Sequence, residues 1–244
     1  MLEAKKSDTV LRRAVTVGLL LILIPAVVMG GALLFQEKHY AWIALCVAVL
    51  SCLPLFVCFE RKESTAKELI TLAVLVAVSA AGRFAFAWVP GFKPVTAITV
   101  TAAIYLGREA GFVVGSLSAV VSNFYFGQGP WTPFQMFAWG LLGFLAGVLA
   151  KPLKRRKVWM ILYGLLAGVL FSAIMDVWTT LWADGTFNLS RYLAAIISAI
   201  PFTVEYAVSN VVFLLLLAKP IGEKLERIKR KYGLFQTSLS IGSG

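Results

Sequence analysis

The sequence predicts an all-α, polytopic membrane helix bundle: a six-helix core preceded by two further transmembrane helices. Three observations carry that prediction. Of the 244 residues, 59% are hydrophobic and only 14% charged. The apolar runs reach the roughly 20 residues that cross a bilayer core. The alternating ten-residue pattern of an outer-membrane barrel is absent from the sequence.

Apolar runs bounded by charge or by Gly and Pro place eight spans, at about 12–36, 40–59, 66–88, 94–107, 109–127, 133–150, 158–182 and 191–217. The first follows a basic segment but is long for a signal-peptide core and lacks a small-x-small cleavage pattern, so it reads as a helix. The second holds Cys46, Cys52 and Cys58. Their spacing of six turns successive thiols to different helix faces, and with one histidine in the chain they read as apolar filler and not as a metal site. The fourth span is short, which fits a tilted or partly re-entrant helix.

An even number of spans puts both termini on one side. With the N-terminus inside, 19 of the 23 Lys and Arg residues face the cytoplasm, in accord with the positive-inside rule. The expectation is a multi-pass cell-membrane protein with both termini cytoplasmic. The formal charge of +11 follows from that topology. No basic patch sits on a soluble domain, which argues against nucleic acid as a partner.

The charged stretch ERKESTAKE, 60–68, divides the chain into an N-terminal two-helix extension (1–60), a six-helix core (61–218) and a basic tail (219–244). Ser64 or Thr65 can cap the helix that follows, with Glu68 at its third position. In the tail, EKLERIKRKYGL spaces Glu223 and Arg227, and Glu226 and Arg230, four apart. It reads either as a short amphipathic helix or as a solvated juxtamembrane segment drawn to anionic lipid.

Several chemistries are missing from the sequence. There is no G-x-x-x-x-G-K-[ST] phosphate loop, so the chain is not its own P-loop ATPase. H-E-x-x-H and G-x-S-x-G are also absent. What remains is a set of polar groups inside spans. Arg83, Asp176 and Glu205 each cost roughly 2.5–3.5 kcal/mol at a helix centre, so each should face the bundle interior or a wet cavity. Two readings stand: a buried Arg–carboxylate pair that fastens helices, and polar anchoring of a ligand entering from outside. Trp42, Trp88, Trp131, Trp178 and Trp182 lie near outer ends, Trp139 lies deeper, and only Trp159 is at the inner side. An ordinary aromatic belt populates both interfaces. The stretch SNFYFGQGPWTPFQMFAW, 122–139, breaks the helix pattern with two glycines and two prolines. Its Asn123, Tyr125, Gln128, Gln135 and Trp139 supply the hydrogen-bonding and stacking groups of a small-molecule site.

On the third span Ala73, Ala77 and Ala81 recur every fourth residue, a smooth stripe for a close helix neighbour. At about 100° per residue Arg83 projects well away from that stripe. Gly111/Gly115, Gly143/Gly147 and Gly164/Gly168 repeat the small-xxx-small spacing.

The linker, the small-residue helix ending AAGRFAFAWVPGFKPVTA, the run GFVVGSLSAVVSNFYFGQGPWTPFQMFAWGLLGFLAG and the closing EKLERIKRKYGL together resemble an energy-coupling factor (ECF) transporter S component, the substrate-binding subunit of a vitamin importer. The resemblance covers about 66–233 and is most specific at FGQGPWTPFQM. It implies a six-helix core that captures a micronutrient at its outer face, joins a transmembrane coupling protein and two ATPase subunits, and topples to release its cargo inward. It also implies that the chain has no cofactor of its own, ATP being used by the partner ATPases. In that family an Ala-x-x-x-Ala face docks the coupling protein, and Ala73, Ala77 and Ala81 match it. Substrate is held by outer loops and helix ends, which adds Lys93 and Trp131 to the candidates Arg83, Asn123, Gln128 and Gln135. Cobalamin or another corrinoid is the first substrate expectation, from the family resemblance and the wide aromatic mouth; riboflavin, folate, thiamine precursors and queuosine precursors stay open. The competing classes are an intramembrane enzyme using Asp176 and Glu205 as acid and base, and a scaffold or sensor using the small-residue faces.

Overall fold

The structure is a computed structural model that describes residues 65–185 and 187–235. Seven helices appear among these residues, and no strand. Helix α1, Ala66–Ala85, starts where Thr65 accepts the Glu68 N–H at 3.4 Å. This is the cap the sequence offers, and it satisfies a backbone donor that the first turn leaves over. The buried face of α1 carries Leu72, Leu75, Val76, Ser79 and Arg83. Ala73, Ala77 and Ala81 lie on its exposed side, beside Ile70, Val74 and Val78.

Helix α2, Val95–Leu106, is the short fourth span, and all of its twelve residues except Tyr105 are buried. A helix that is apolar all round has no face to turn to solvent and so takes the centre of the bundle. Gly107, at φ +113°, turns the chain into α3, Arg108–Phe126, and Gly127, at φ +98°, ends it. Backbone angles of this kind cost glycine little and other residues more.

Helix α4, Thr132–Val148, runs back along α3. The two backbones nearly touch: a Cβ at Gly111 would stand 2.8 Å from the Gly143 carbonyl oxygen, and one at Gly115 would strike Trp139. The glycine spacing thus gives the two helices a close approach, and Ser116 Oγ of α3 donates to the Met136 carbonyl of α4 at 3.0 Å across it. A six-residue helix, α5, Ala150–Arg155, makes the corner to α6, Lys157–Asp184. It is the seventh helix beyond the six expected, formed by the basic AKPLKR.

Helix α7, Leu189–Tyr232, has 44 residues and Pro201 and Pro220 within it. At 1.5 Å per residue it is about 66 Å long, roughly twice the apolar thickness of a bilayer. Its C-terminal turns pack on the bundle: Leu225 and Leu234 are buried, and the Phe235 N–H donates to Glu68 Oε1 at 2.5 Å. The segment that the sequence left between helix and solvated tail is therefore a packed continuation of α7, and the boundary drawn at residue 219 falls inside it. Glu226 meets Lys154 across the corner at 3.6 Å, a partner the i,i+4 spacing does not reveal.

Helices α1, α6 and α7 are long and apolar enough to cross a membrane, and α2 and α4 are shorter apolar helices packed among them. The fold is the all-α membrane bundle that the composition predicts. The two N-terminal spans, with the three cysteines, lie outside the described residues.

A side chain at the α3–α4 crossing has nowhere to go. Gly143→Val is expected to destabilise the bundle by about 1–3 kcal/mol through overpacking, read as a lower thermal transition of the purified protein. Ala77→Val, on the exposed face of α1, should leave that transition in place.

Candidate ligand site

Arg83, in the last turn of α1, points into the bundle and is 8% exposed. Its Nη1 donates to Ser122 Oγ at 2.5 Å and to Asn123 Oδ1 at 2.7 Å, both at the end of α3. Asn123 Nδ2 in turn donates to Thr132 Oγ1 at 2.9 Å and Gln135 Oε1 at 2.8 Å, in the first turn of α4. Thr132 Oγ1 donates to Gln128 Oε1 at 3.1 Å, and Gln128 Nε2 to the Val120 carbonyl at 2.8 Å. The GQGPWTP turn is thereby tied, through side chains, to a buried cation. The guanidinium also lies over the rings of Phe126, 4.4 Å from its centroid, and Trp139, at 5.1 Å. Aromatic faces are attractive partners for a desolvated cation.

Two features of this arrangement matter chemically. Arg83 forms no ion pair among the described residues, so the buried Arg–carboxylate clasp that the sequence allowed is replaced by neutral oxygens and ring faces. Its Nε–H is buried with no hydrogen-bond partner. A buried donor without an acceptor is costly and uncommon, and it marks a place where an acceptor fits.

That donor belongs to a residue lining a cavity of about 70 Å³, whose walls include Lys93, Gln135, Trp139, Phe171 and Tyr206. Trp139 and Phe171 stack, with centroids 5.0 Å apart and planes at 20°, and Tyr206 meets Phe171 edge-on at 5.2 Å. One wall is thus aromatic and the other is polar.

The connection between α1 and α2, residues 86–94, contributes Pro90, Gly91 and Lys93 to the cavity wall. Ser209 of α7 holds it by two bonds: its Oγ accepts the Lys93 N–H at 2.8 Å and donates to the Lys93 carbonyl at 3.2 Å. Phe86 and Phe92 pack on Phe213, at 5.0 and 4.9 Å. Glu205 lies against Gly91, where a Cβ would stand 2.8 Å from the carboxylate oxygen. Lys93 Nζ donates to the Pro90 carbonyl at 2.8 Å. Burial lowers the Lys93 pKa, the Arg83 charge lowers it further, and Glu205 partly opposes both.

Of the residues singled out from sequence, Arg83, Lys93, Gln135 and Trp139 line this cavity. Asn123 and Gln128 stand behind them in the hydrogen-bond network, and Glu205 backs the 86–94 connection. Tyr125 is 64% exposed and packs edge-on against Phe84, away from the cavity. Trp131 joins a separate aromatic cluster with Phe134 and Trp178. Asp176 is buried on α6 but does not line the cavity. Sequence reasoning passed over Phe171, Tyr206 and Asn210, which complete the walls from α6 and α7.

A bundle of membrane helices with a cavity at one end, walled by rings and hydrogen-bonding groups and carrying no cluster of metal-ligating residues among those described, defines a membrane-embedded small-molecule binder. The family model for the ECF-type riboflavin transporter S component matches residues 63–227, more than half of the chain. The protein belongs to this family of ECF S components. Searches of curated proteins and of solved structures each returned no match.

Removing Asn123 from the network leaves Arg83, Thr132 and Gln135 short of partners. Asn123→Leu is expected to cost about 1.5–3 kcal/mol, the range for hydrogen bonds to charged groups, read as a lower thermal transition of ligand-free protein. Tyr125→Ala should leave the transition unchanged.

Proposed function

We propose that this chain is the substrate-binding subunit of a riboflavin importer. S components work with a coupling protein and ATPases to import a small molecule, and the family's description names riboflavin. The observation that carries the reading to this chain is the unpartnered Nε–H of Arg83 beside the Trp139–Phe171 stack. Riboflavin presents a planar tricyclic ring with a pyrimidinedione edge of carbonyl and ring-nitrogen acceptors. The ring suits the aromatic wall, and the acceptor edge suits Arg83 and the Gln135 amide. A corrinoid, the expectation drawn from the family resemblance and the wide aromatic mouth, is a much larger ring system than a flavin and finds less support in a cavity of about 70 Å³.

The 70 Å³ cavity is far below the roughly 300–1,000 Å³ of drug-sized ligand sites. Entry of a flavin therefore requires the 86–94 connection to swing off α7, breaking the two Ser209 bonds. The sidedness of the protein follows the positive charge. Lys151 to Lys157 and Lys219 to Lys231 gather at the end opposite the cavity, so we place that end in the cytoplasm and the cavity mouth outside. The exposed Ala73, Ala77 and Ala81 then offer the coupling protein a smooth strip along α1.

Titration of the purified protein with riboflavin, followed by quenching of flavin fluorescence, tests the reading. Saturable binding is expected, weakened about 10- to 100-fold by Arg83→Gln, as for loss of a hydrogen bond to a buried charge. No riboflavin binding, or cobalamin bound in its place across a vitamin panel, would overturn it. Ala77→Trp is expected to leave that titration unchanged and to abolish riboflavin uptake by cells that carry the coupling protein and ATPases.

A further inference from the structure

At the end of the bundle opposite the ligand cavity, a second cavity of about 230 Å³ opens between the last turn of α2, the short helix α5 and the C-terminal turns of α7. Its lining is Tyr105, Lys154, Glu226, Lys229 and Arg230. Three cations thus face one carboxylate. Side-chain contacts hold two of the cations against the walls, while Arg230 is exposed at the rim. Lys154 Nζ lies 3.6 Å from Glu226 Oε1 and 4.3 Å from the centroid of the Tyr105 ring. Lys229 Nζ donates to the Tyr105 carbonyl at 3.3 Å. Gly222 lies against the same ring so closely that no Cβ would fit. Tyr105 is also the one residue of α2 that is not buried, so the core helix reaches this cavity with its ring.

The depth of the cavity is marked by its surroundings. The exposed apolar residues Val148 and Leu149 precede the basic run Lys151 to Lys157, and the exposed Val158 and Trp159 follow it. Apolar, basic and again apolar exposed side chains around a helix corner, with a Trp among them, mark the plane where hydrocarbon meets headgroups. A cationic cavity between membrane helices at that plane has the chemistry of an anionic headgroup site.

We propose that this cavity binds the phosphodiester of an anionic phospholipid. The phosphate sits among Lys154, Lys229 and Arg230, and the acyl chains leave over Val148, Leu149 and Val158. Glu226 disfavours doubly charged phosphate monoesters and leaves room for a singly charged diester. The lipid bridges the last turn of α2, α5 and the C-terminal turns of α7, and braces the end of the long α7 against the core.

Native mass spectrometry of the full chain released from membranes of mixed phosphatidylglycerol and phosphatidylcholine tests this, and it needs no vitamin. The expected result is preferential retention of phosphatidylglycerol, reduced about fivefold for each cation removed in Arg230→Gln and in Lys229→Gln/Arg230→Gln. Arg155→Gln/Arg156→Gln removes as much charge from exposed positions outside the cavity and should leave retention unchanged. Arg230 is exposed at the rim, so its single substitution tests the site even if the double variant folds poorly. Equal retention of the two lipids, or equal loss in the control pair, would overturn the proposal. Displacement of the bound lipid by inorganic phosphate at millimolar concentration would overturn the lipid as the source of the phosphate.

Discussion

The ligand end of the bundle is organised by one requirement: a guanidinium buried in a membrane protein must be satisfied, and among the described residues no carboxylate pairs with it. The cost of an unsolvated charge falls only where donors meet acceptors at short range. Ser122 and Asn123 provide two such acceptors at 2.5 and 2.7 Å, and Phe126 and Trp139 provide ring faces. That choice sets the register of α3 against α1. Because Asn123 turns its amide donors on Thr132 and Gln135, it sets the first turn of α4 as well. The turn between α3 and α4 is shaped from within by this chain of bonds, and its Gly and Pro residues let the backbone follow. Two oxygens and two rings still leave the buried Nε–H of Arg83 without an acceptor.

The remaining architecture holds this cluster in place. Helix α2 occupies the centre, buried except at Tyr105, and Thr101 donates locally to the Ala97 carbonyl at 2.7 Å. The glycine crossing of α3 and α4 fixes the distance between the two helices that supply the acceptors. Tyr163 of α6 donates to the Leu142 carbonyl of α4, and the Trp139–Phe171 stack joins the same two helices beside the cavity. Opposite, the tail of α7 returns to Glu68 at the start of α1. The helix that carries Arg83 is thus held at both ends by polar contacts, while its alanine stripe stays exposed.

Much of this was legible in the sequence, for definite reasons. Span boundaries follow from charge and from Gly and Pro, the Thr65 cap from local hydrogen-bond chemistry, and the importance of Arg83 from the cost of a charge in a span. Gln135 and Trp139 stood out because polar and aromatic residues crowd a helix break. Phe171, Tyr206 and Asn210 did not, since α6 and α7 are apolar on most faces and a ring or amide there looks like ordinary packing. The i,i+4 pair Tyr206 and Asn210 beside Glu205 was the available signal. The Arg–carboxylate expectation failed because hydropathy prices a charge without saying whether an acid, an amide or a ring will meet it. The corner helix α5 was hidden by its length of six residues, and the docking of the α7 extension depends on contacts with α1 and α2 that lie over a hundred positions away.

In the proposed riboflavin complex the Arg83 guanidinium completes its hydrogen bonding on a carbonyl edge of the ligand. The most direct measurement is the infrared carbonyl band of bound riboflavin, compared at saturation between the unaltered protein and Arg83→Gln. Donation from a buried cation weakens the carbonyl bond, so a lower stretching frequency is expected in the unaltered protein than in the variant. Coincident bands in the two proteins would contradict it.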